Sequence, residues 1–311
     1  MDSSLLTTQP SLPEFVKIVE VGPRDGLQNE ATVLSAEVKI DFINRLSMAG
    51  FSNIEAASFV SPKWVPQMAA SSEIMAGIQR KAGVIYSALT PNMKGFEAAL
   101  QAGVNEVVIF GSASEAFSQK NINCSIAESI ERFRPVAIAA KENHIRLRGS
   151  ISCSFGCPYQ GEVSPQAVAD VVRQLRDLGC DEIDIADTIG VGTPRHVQTV
   201  MKCAAEEFSI DALSGHFHDT YGQALANIYA SLEVGIHIFH SSVGGLGGCP
   251  YAKGATGNVA TEDVLFLMQG LGIKTGINLD KVVDAGQFIS QHIGRKAVSR
   301  AGSALAAKKI A

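Results

Sequence analysis

The sequence lacks the features that mark secreted, membrane-bound and nucleic-acid-binding chains. Its six cysteines are scattered, and neither end carries a signal peptide, a transit peptide or a peroxisomal tripeptide. No apolar run approaches the length that spans a bilayer, and no basic block stands out in a chain of net charge −5. These absences predict a cytoplasmic protein with free thiols, and they argue against nucleic acid or membrane as a partner.

What the sequence does contain is a short apolar run followed by a segment with helical spacing, repeated eight times. The runs are 15–22, 52–59, 84–90, 106–113, 145–154, 182–188, 213–220 and 236–245. Intervening helices are predicted at 35–49, 126–141, 165–178 and 194–207, several of which begin at Ser or Thr, and many such segments end at Gly. This α/β pattern predicts a (β/α)8 TIM barrel.

An open doubly wound sheet is the alternative fold. Such a sheet would be expected to carry a glycine-rich phosphate turn after its first strand, which the sequence GPRDG at 22–26 does not supply. We expect residues 1–12 to be flexible and residues 13–311 to form a single catalytic domain. Helical patterns at 260–270 and 279–294 predict extra C-terminal helices from about residue 260.

Polar side chains follow the predicted strands, where the active sites of such barrels lie. They come from different elements and meet only if the barrel forms. They are Arg24 and Asp25 after the first strand, Glu55 on the second, Asp184 and Asp187 on the sixth, His216 and His218 on the seventh, and Cys249 and Asn258 after the eighth.

The His-x-His pair of the seventh strand is the strongest local indication of a site. Residues two apart in a strand point to the same face, so His216 and His218 lie side by side. Two imidazoles with the oxygens of Asp25 and Asn258 favour Mg²⁺, Mn²⁺ or Co²⁺, although zinc is compatible with the ligand types alone. His237 and His240 lie on opposite faces of the eighth strand and are interpreted as structural.

Cys249 lies in a glycine-dense segment, GGLGGCPYAKGATGN, at 244–258. Glycines at this density permit close approach of the backbone to a ligand, and they permit the motion of a lid. A thiol above a metal centre is suited to act as acid, base or nucleophile.

The sequence resembles the hydroxymethylglutaryl-CoA lyase family from about residue 15 to about residue 300. The resemblance rests on VEVGPRDGLQNE at 19–30, EAASFVSPKWVPQM at 55–68, DTIGVGTP at 187–194, HFHDTYGQALAN at 216–227 and GGLGGCPYAKGATGNVATED at 244–263. It implies retro-Claisen cleavage of 3-hydroxy-3-methylglutaryl-CoA to acetyl-CoA and acetoacetate, in leucine degradation or ketone-body metabolism. It further implies a homodimer and a divalent cation, Mg²⁺ or Mn²⁺, held by Asp25, His216, His218 and Asn258.

The resemblance also assigns roles that agree with the chemistry. It places Arg24 at the thioester oxygen, where a guanidinium would stabilise the enolate as it forms. It makes Cys249 the catalytic thiol, which is suited to protonate the acetyl carbon. On chemical grounds Asp187 or Glu55 would accept the hydroxyl proton, directly or through a metal-bound water, and we slightly favour Asp187.

The sequence leaves three alternatives to this reaction. A lyase for a related 3-hydroxyacyl-CoA, with a longer C3 branch or a different acid such as citramalyl-CoA, would keep the same motifs. Cys249 and the missing C-terminal regulatory domain argue against an acyl-CoA-dependent Claisen synthase, and the intact set of polar residues argues against a non-catalytic barrel. Lys63, Lys94 and Lys253 are candidates for binding the CoA nucleotide.

Overall fold

Eight parallel strands close into a barrel in a computed structural model that describes residues 12–248 and 257–310. Neighbours in sequence are neighbours in space, and the first strand pairs with the eighth. The strands are β1 Lys17–Glu20, β2 Asn53–Ser58, β3 Ile85–Leu89, β4 Glu106–Ser112, β5 Arg146–Ser152, β6 Glu182–Asp187, β7 Leu213–Phe217 and β8 Ile238–Ser241. Each lies inside one of the predicted runs, so the (β/α)8 prediction is confirmed.

Helices surround the barrel and follow the predicted segments closely. They are α1 Ala36–Ala49, α2 Ser71–Gly77, α3 Met93–Gln101, α4 Glu115–Ile122, α5 Ile126–Glu142, α6 Pro165–Leu178, α7 Pro194–Ala205, α8 Ala224–Glu233, α9 Thr261–Gly270, α10 Leu279–Ile293 and α11 Arg300–Ile310. The side chain of Ser35 caps α1, and Ser125 with Glu128 forms a capping box at α5. Within the described chain no helix is long and apolar enough to cross a membrane.

The helices differ from the predicted segments at two places. The connection after β4 contains an additional helix, α4, which the side chain of Ser114 caps and which ends at Asn123 in the left-handed conformation. Helix α7 ends at Ala205, two residues before the predicted boundary. Helices α9, α10 and α11 supply the expected C-terminal helices, whereas the predicted flexible segment 1–12 lies, apart from Leu12, outside the described residues.

The two faces of the barrel strands bury different kinds of side chain. Outward-facing residues such as Ile183, Ile185 and Phe217 belong to the main hydrophobic core. The inward face carries charges that contact one another across the barrel, at Glu55, Glu106, Arg148, Glu182, Asp184 and His240, all of them buried. Barrel interiors of this class are usually filled by branched aliphatic side chains. The charged interior of this barrel is therefore unusual for the fold.

Candidate active site

A π-helical turn, Gly22–Gly26, follows β1 directly and carries Arg24 and Asp25. The turn packs against the segment that follows β8, and its glycines allow the approach. A Cβ atom on Gly26 would lie 2.6 Å from the Ser242 hydroxyl and 2.8 Å from Cβ of Leu246. Any larger residue there would push the two segments apart, so this glycine fixes the position of the turn at the barrel mouth.

Asp25, His216 and His218 converge at the carboxyl ends of the strands, with one ligand atom from each lying within 4.8 Å of the others. Asn258 completes the group. Its Oδ1 lies 2.7 Å from Nε2 of His216, and its Nδ2 donates to Oδ2 of Asp25 at 2.8 Å. The backbone explains the placement, because Asn258 forms an antiparallel bridge with His218.

The chemistry of these four side chains fits a divalent cation. Burial opposes ionisation of Asp25, but Arg24 and the two histidines outweigh it and lower the pKa of the carboxyl to about 2. Burial, with the charge of His216, lowers the pKa of His218 to about 4. A carboxylate and a neutral imidazole are the forms that ligate a metal near pH 7. Nδ1 of His218 is also buried without a hydrogen-bond partner among the described residues.

The guanidinium of Arg24 is held on both sides. Its Nε donates to Oε1 of Glu55, and its Nη1 donates to Oδ1 of Asp25 at 2.9 Å. Burial raises the pKa of Glu55, but Arg24 and Arg148 outweigh that effect and lower it overall. Glu55 is therefore ionised with both oxygens engaged, since Oε2 accepts from Arg148 at 2.6 Å.

Asp187 occupies a different environment from the residues above. The alternation of β6 turns it to the face opposite Asp184, and its carboxylate accepts from the backbone N–H groups of Val191 at 3.0 Å and Gly192 at 2.8 Å. Burial raises its pKa to about 6. The geometry thus shows Asp187 anchoring the 190–192 loop, and its assignment as general base stays a prediction.

A second group, Asp184, His216 and His240, also lies within ligand distance of one another. Nη1 of Arg148 is 3.1 Å from the His240 ring, and this fixed positive charge disfavours a cation at that place. Asp184 lies 3.9 Å from Nδ1 of His216. At that distance the carboxylate acts on the His216 ring through its charge and not through a hydrogen bond, and it lies closer to Nδ1 of His240, at 3.4 Å.

Comparison with known proteins places the chain in a family. A model of the HMGL-like family matches residues 15–289. The chain belongs to this family. It is 59% identical over 298 residues to the 3-hydroxy-3-isohexenylglutaryl-CoA/hydroxy-methylglutaryl-CoA lyase of Pseudomonas aeruginosa, covering 96% of this chain and 99% of the relative. It is 55% identical over 294 residues to the mitochondrial hydroxymethylglutaryl-CoA lyase of Homo sapiens, covering 94% and 90%.

One solved structure of an HMG-CoA lyase contains bound ligands. The HMG-CoA lyase of Acinetobacter baumannii, in complex with coenzyme A and 3-methylmalate, superposes with a TM-score of 0.90 at 37% identity. The superposition covers 94% of this chain and 95% of that one.

Not every predicted residue is described within the group around Asp25. Cys249 and Lys253 lie outside the described residues. Lys63 is exposed on the loop after β2, and Lys94 is exposed in the first turn of helix α3. Of the histidines interpreted as structural, His237 is partly exposed whereas His240 is fully buried in the barrel interior.

Sequence reasoning missed the charged interior of the barrel. Arg148, Glu106, Glu182 and His240 were not singled out as part of the site. The available signal was the alternation of charged with apolar or small residues along three strands, as in RLRGS at 146–150, EIDI at 182–185 and SGHFH at 214–218.

Proposed function

We propose that this protein cleaves 3-hydroxy-3-methylglutaryl-CoA to acetyl-CoA and acetoacetate, as a carbon–carbon lyase that uses a divalent cation. The convergence of Asp25, His216, His218 and Asn258 beside the buried Arg24 carries the proposal. The names of relatives at 59% and 55% identity support the substrate.

Asp25, His216, His218 and Asn258 would hold the cation, and two nitrogens with two oxygens suit Mg²⁺ or Mn²⁺. When bound, the cation would lower the pKa of the C3 hydroxyl and fix its orientation. These side chains already lie together, because Asn258 contacts both Asp25 and His216.

Arg24 would donate to the thioester oxygen as that oxygen acquires the charge of the enolate. Arg24 is 9% exposed and its guanidinium is held by Glu55 and Asp25, so the group need not reorganise when the charge develops. Cys249 would then protonate the acetyl carbon.

Two carboxylates are candidates to accept the hydroxyl proton. Both oxygens of Glu55 are engaged by arginines, and the carboxylate of Asp187 is engaged by backbone N–H groups. The raised pKa of Asp187, about 6, nevertheless suits a group that exchanges protons near neutrality.

The proposal extends to the metabolic role, the location and the assembly of the protein. We place the protein in leucine degradation or ketone-body metabolism, in the cytoplasm, as a homodimer with one catalytic domain over residues 13–311. Lys63, Lys94 and Lys253 remain candidates for the CoA nucleotide. The complex of a relative with coenzyme A supports an acyl-CoA substrate.

The deciding experiment removes the metal and restores it. Protein stripped with a chelator is assayed with 3-hydroxy-3-methylglutaryl-CoA, with and without Mg²⁺ or Mn²⁺, for both acetyl-CoA and acetoacetate. We expect both products in equal amounts and only with metal. Metal binding without cleavage would reject this substrate, and the same assay with a longer C3 branch would then identify a related acyl-CoA.

A further inference from the structure

Arg148 is fully buried in the barrel interior and contacts acidic and aromatic partners from three other strands. Its Nη2 donates to Oε2 of Glu55 at 2.6 Å, and its Nε forms an ion pair with Oε1 of Glu106 at 3.3 Å. Its Nη1 lies 3.1 Å from the ring of His240. One guanidinium thus joins β5 to β2, β4 and β8 across the interior.

Glu55 connects this interior group to the barrel mouth. One of its oxygens accepts from Arg148 and the other from Arg24. A single carboxylate therefore bridges two arginines, one inside the barrel and one at the proposed thioester site. Glu55 is 1% exposed, so water does not compete for either oxygen.

We infer that Arg148 is a positioning residue for the cleavage reaction: it fixes the Glu55 carboxylate, and through Glu55 it holds the Arg24 guanidinium where the enolate oxygen forms. This inference rests on the function proposed above.

The physical reason lies in what a buried charge requires. A buried ion pair is weak evidence for stability, because well-packed aliphatic side chains often serve as well or better. An arginine kept at 0% exposure therefore calls for another explanation. Its planar fork offers donors in several fixed directions, which a lysine ammonium does not reproduce. Arg148→Lys keeps the charge but loses contact with at least one of Glu55, Glu106 and His240.

The chain provides a matched control in Arg146. Arg146 lies two residues earlier on the same face of β5, and its Nε donates to Oε2 of Glu106 at 3.2 Å. It makes no contact with Glu55 or Arg24 in the described structure. Arg146→Met removes a positive charge from the same strand and from the same acidic partner, but it leaves the bridge through Glu55 intact.

The test compares kcat, KM, metal affinity and thermal unfolding of Arg148→Lys and Arg146→Met in the full-length enzyme. We expect Arg148→Lys to lower kcat by about 10²-fold, the typical cost of misplacing a catalytic group by about 1 Å. KM and Mn²⁺ affinity should stay within about 3-fold of wild type. Arg146→Met should keep wild-type kcat. An equal loss in both variants, or loss of Mn²⁺ binding in Arg148→Lys, would overturn the inference in favour of a structural role.

A double-mutant cycle asks whether Arg148 acts through Arg24. In an Arg24→Gln background, Arg148→Lys should lower kcat by no more than about 2-fold, because the group it positions is already absent. Full additivity of the two losses would refute the link. If Arg148→Lys does not fold, Glu55→Asp shortens the bridge from the other side and is expected to give the same kcat loss.

A second readout separates this inference from the proposed substrate. Deuterium exchange into the acetyl group of acetyl-CoA reports enolate stabilisation without the cleavage step. Wild-type protein that exchanges but does not cleave 3-hydroxy-3-methylglutaryl-CoA would refute the substrate and leave the inference intact. Wild-type exchange that Arg148→Lys leaves unchanged would refute the inference alone.

Discussion

Replacing Arg24 with glutamine separates transition-state stabilisation from substrate binding. The substitution leaves no buried carboxylate without a partner. Glu55 keeps Arg148 at 2.6 Å, and Asp25 keeps the amide of Asn258 at 2.8 Å. A buried charge left without a partner costs about 3–5 kcal/mol, so the free energy of unfolding should fall by less than that.

The kinetic effect should appear in turnover and not in substrate binding. Arg24 would meet full negative charge on the thioester oxygen only as the enolate forms, so its loss acts on turnover. Removing one preorganised donor of this kind typically lowers kcat by about 10²–10³, or about 3–4 kcal/mol. KM should change by less than about 3-fold, because the rest of the acyl-CoA binds elsewhere.

The assay measures kcat and KM at saturating Mg²⁺, with thermal unfolding and metal titration to verify the fold and the cation site. Arg45→Gln is a suitable kinetic control, since Arg45 pairs with Asp41 at 3.1 Å on helix α1 and stacks over the ring of Phe288. Its loss should leave kcat, KM and metal affinity unchanged. A rise in KM at unchanged kcat would show that Arg24 binds substrate and transition state equally, and the assignment of Arg24 to the enolate would be refuted.

Three further predictions concern the metal, the thiol and pH. His218→Ala should weaken Mn²⁺ affinity at least about 10-fold in a metal titration, whereas His237→Ala, which alters a partly exposed imidazole, should not. Cys249→Ser should lower kcat by orders of magnitude with metal affinity unchanged; wild-type turnover would remove Cys249 from the mechanism. Burial raises the pKa of Glu262, whose carboxylate accepts from the backbone N–H of Gly244, from 4.5 to about 8. The folded state therefore binds the proton more tightly than the unfolded state, so stability should fall as pH rises from about 4.5 to about 8, by a few kcal/mol. Denaturant unfolding of Glu262→Gln should show a weaker pH dependence, and an identical slope would contradict the assignment.

The sequence alone predicted the architecture because the period of the pattern is local. Eight alternations of an apolar run with a helical segment require parallel strands and crossover helices. The caps at Ser35, Ser125 and Ser164 fix where helices begin through contacts within three residues of the chain. The fold rule then placed the site, since the polar residues that follow the strands must meet at one end of a closed barrel.

The same rule found the group around Asp25 and His216. An H-x-H spacing puts two imidazoles on one face of a strand whatever the rest of the fold does. The contact of Asn258 with Asp25, across 233 positions of sequence, followed only from closure of the barrel.

The tertiary structure alone decided the environment of each carboxylate. The sequence offered Glu55 and Asp187 as alternative bases with only a slight preference for Asp187, but the structure engages Glu55 between two arginines and turns Asp187 toward a loop backbone. Alternation along a strand tells which residues share a face. It does not tell which face turns inward or which side chains lie opposite across the barrel interior. Those partners come from strands about 30 to 90 residues away, as Arg148 and Glu55 do, and only barrel closure brings such charges within 3 Å.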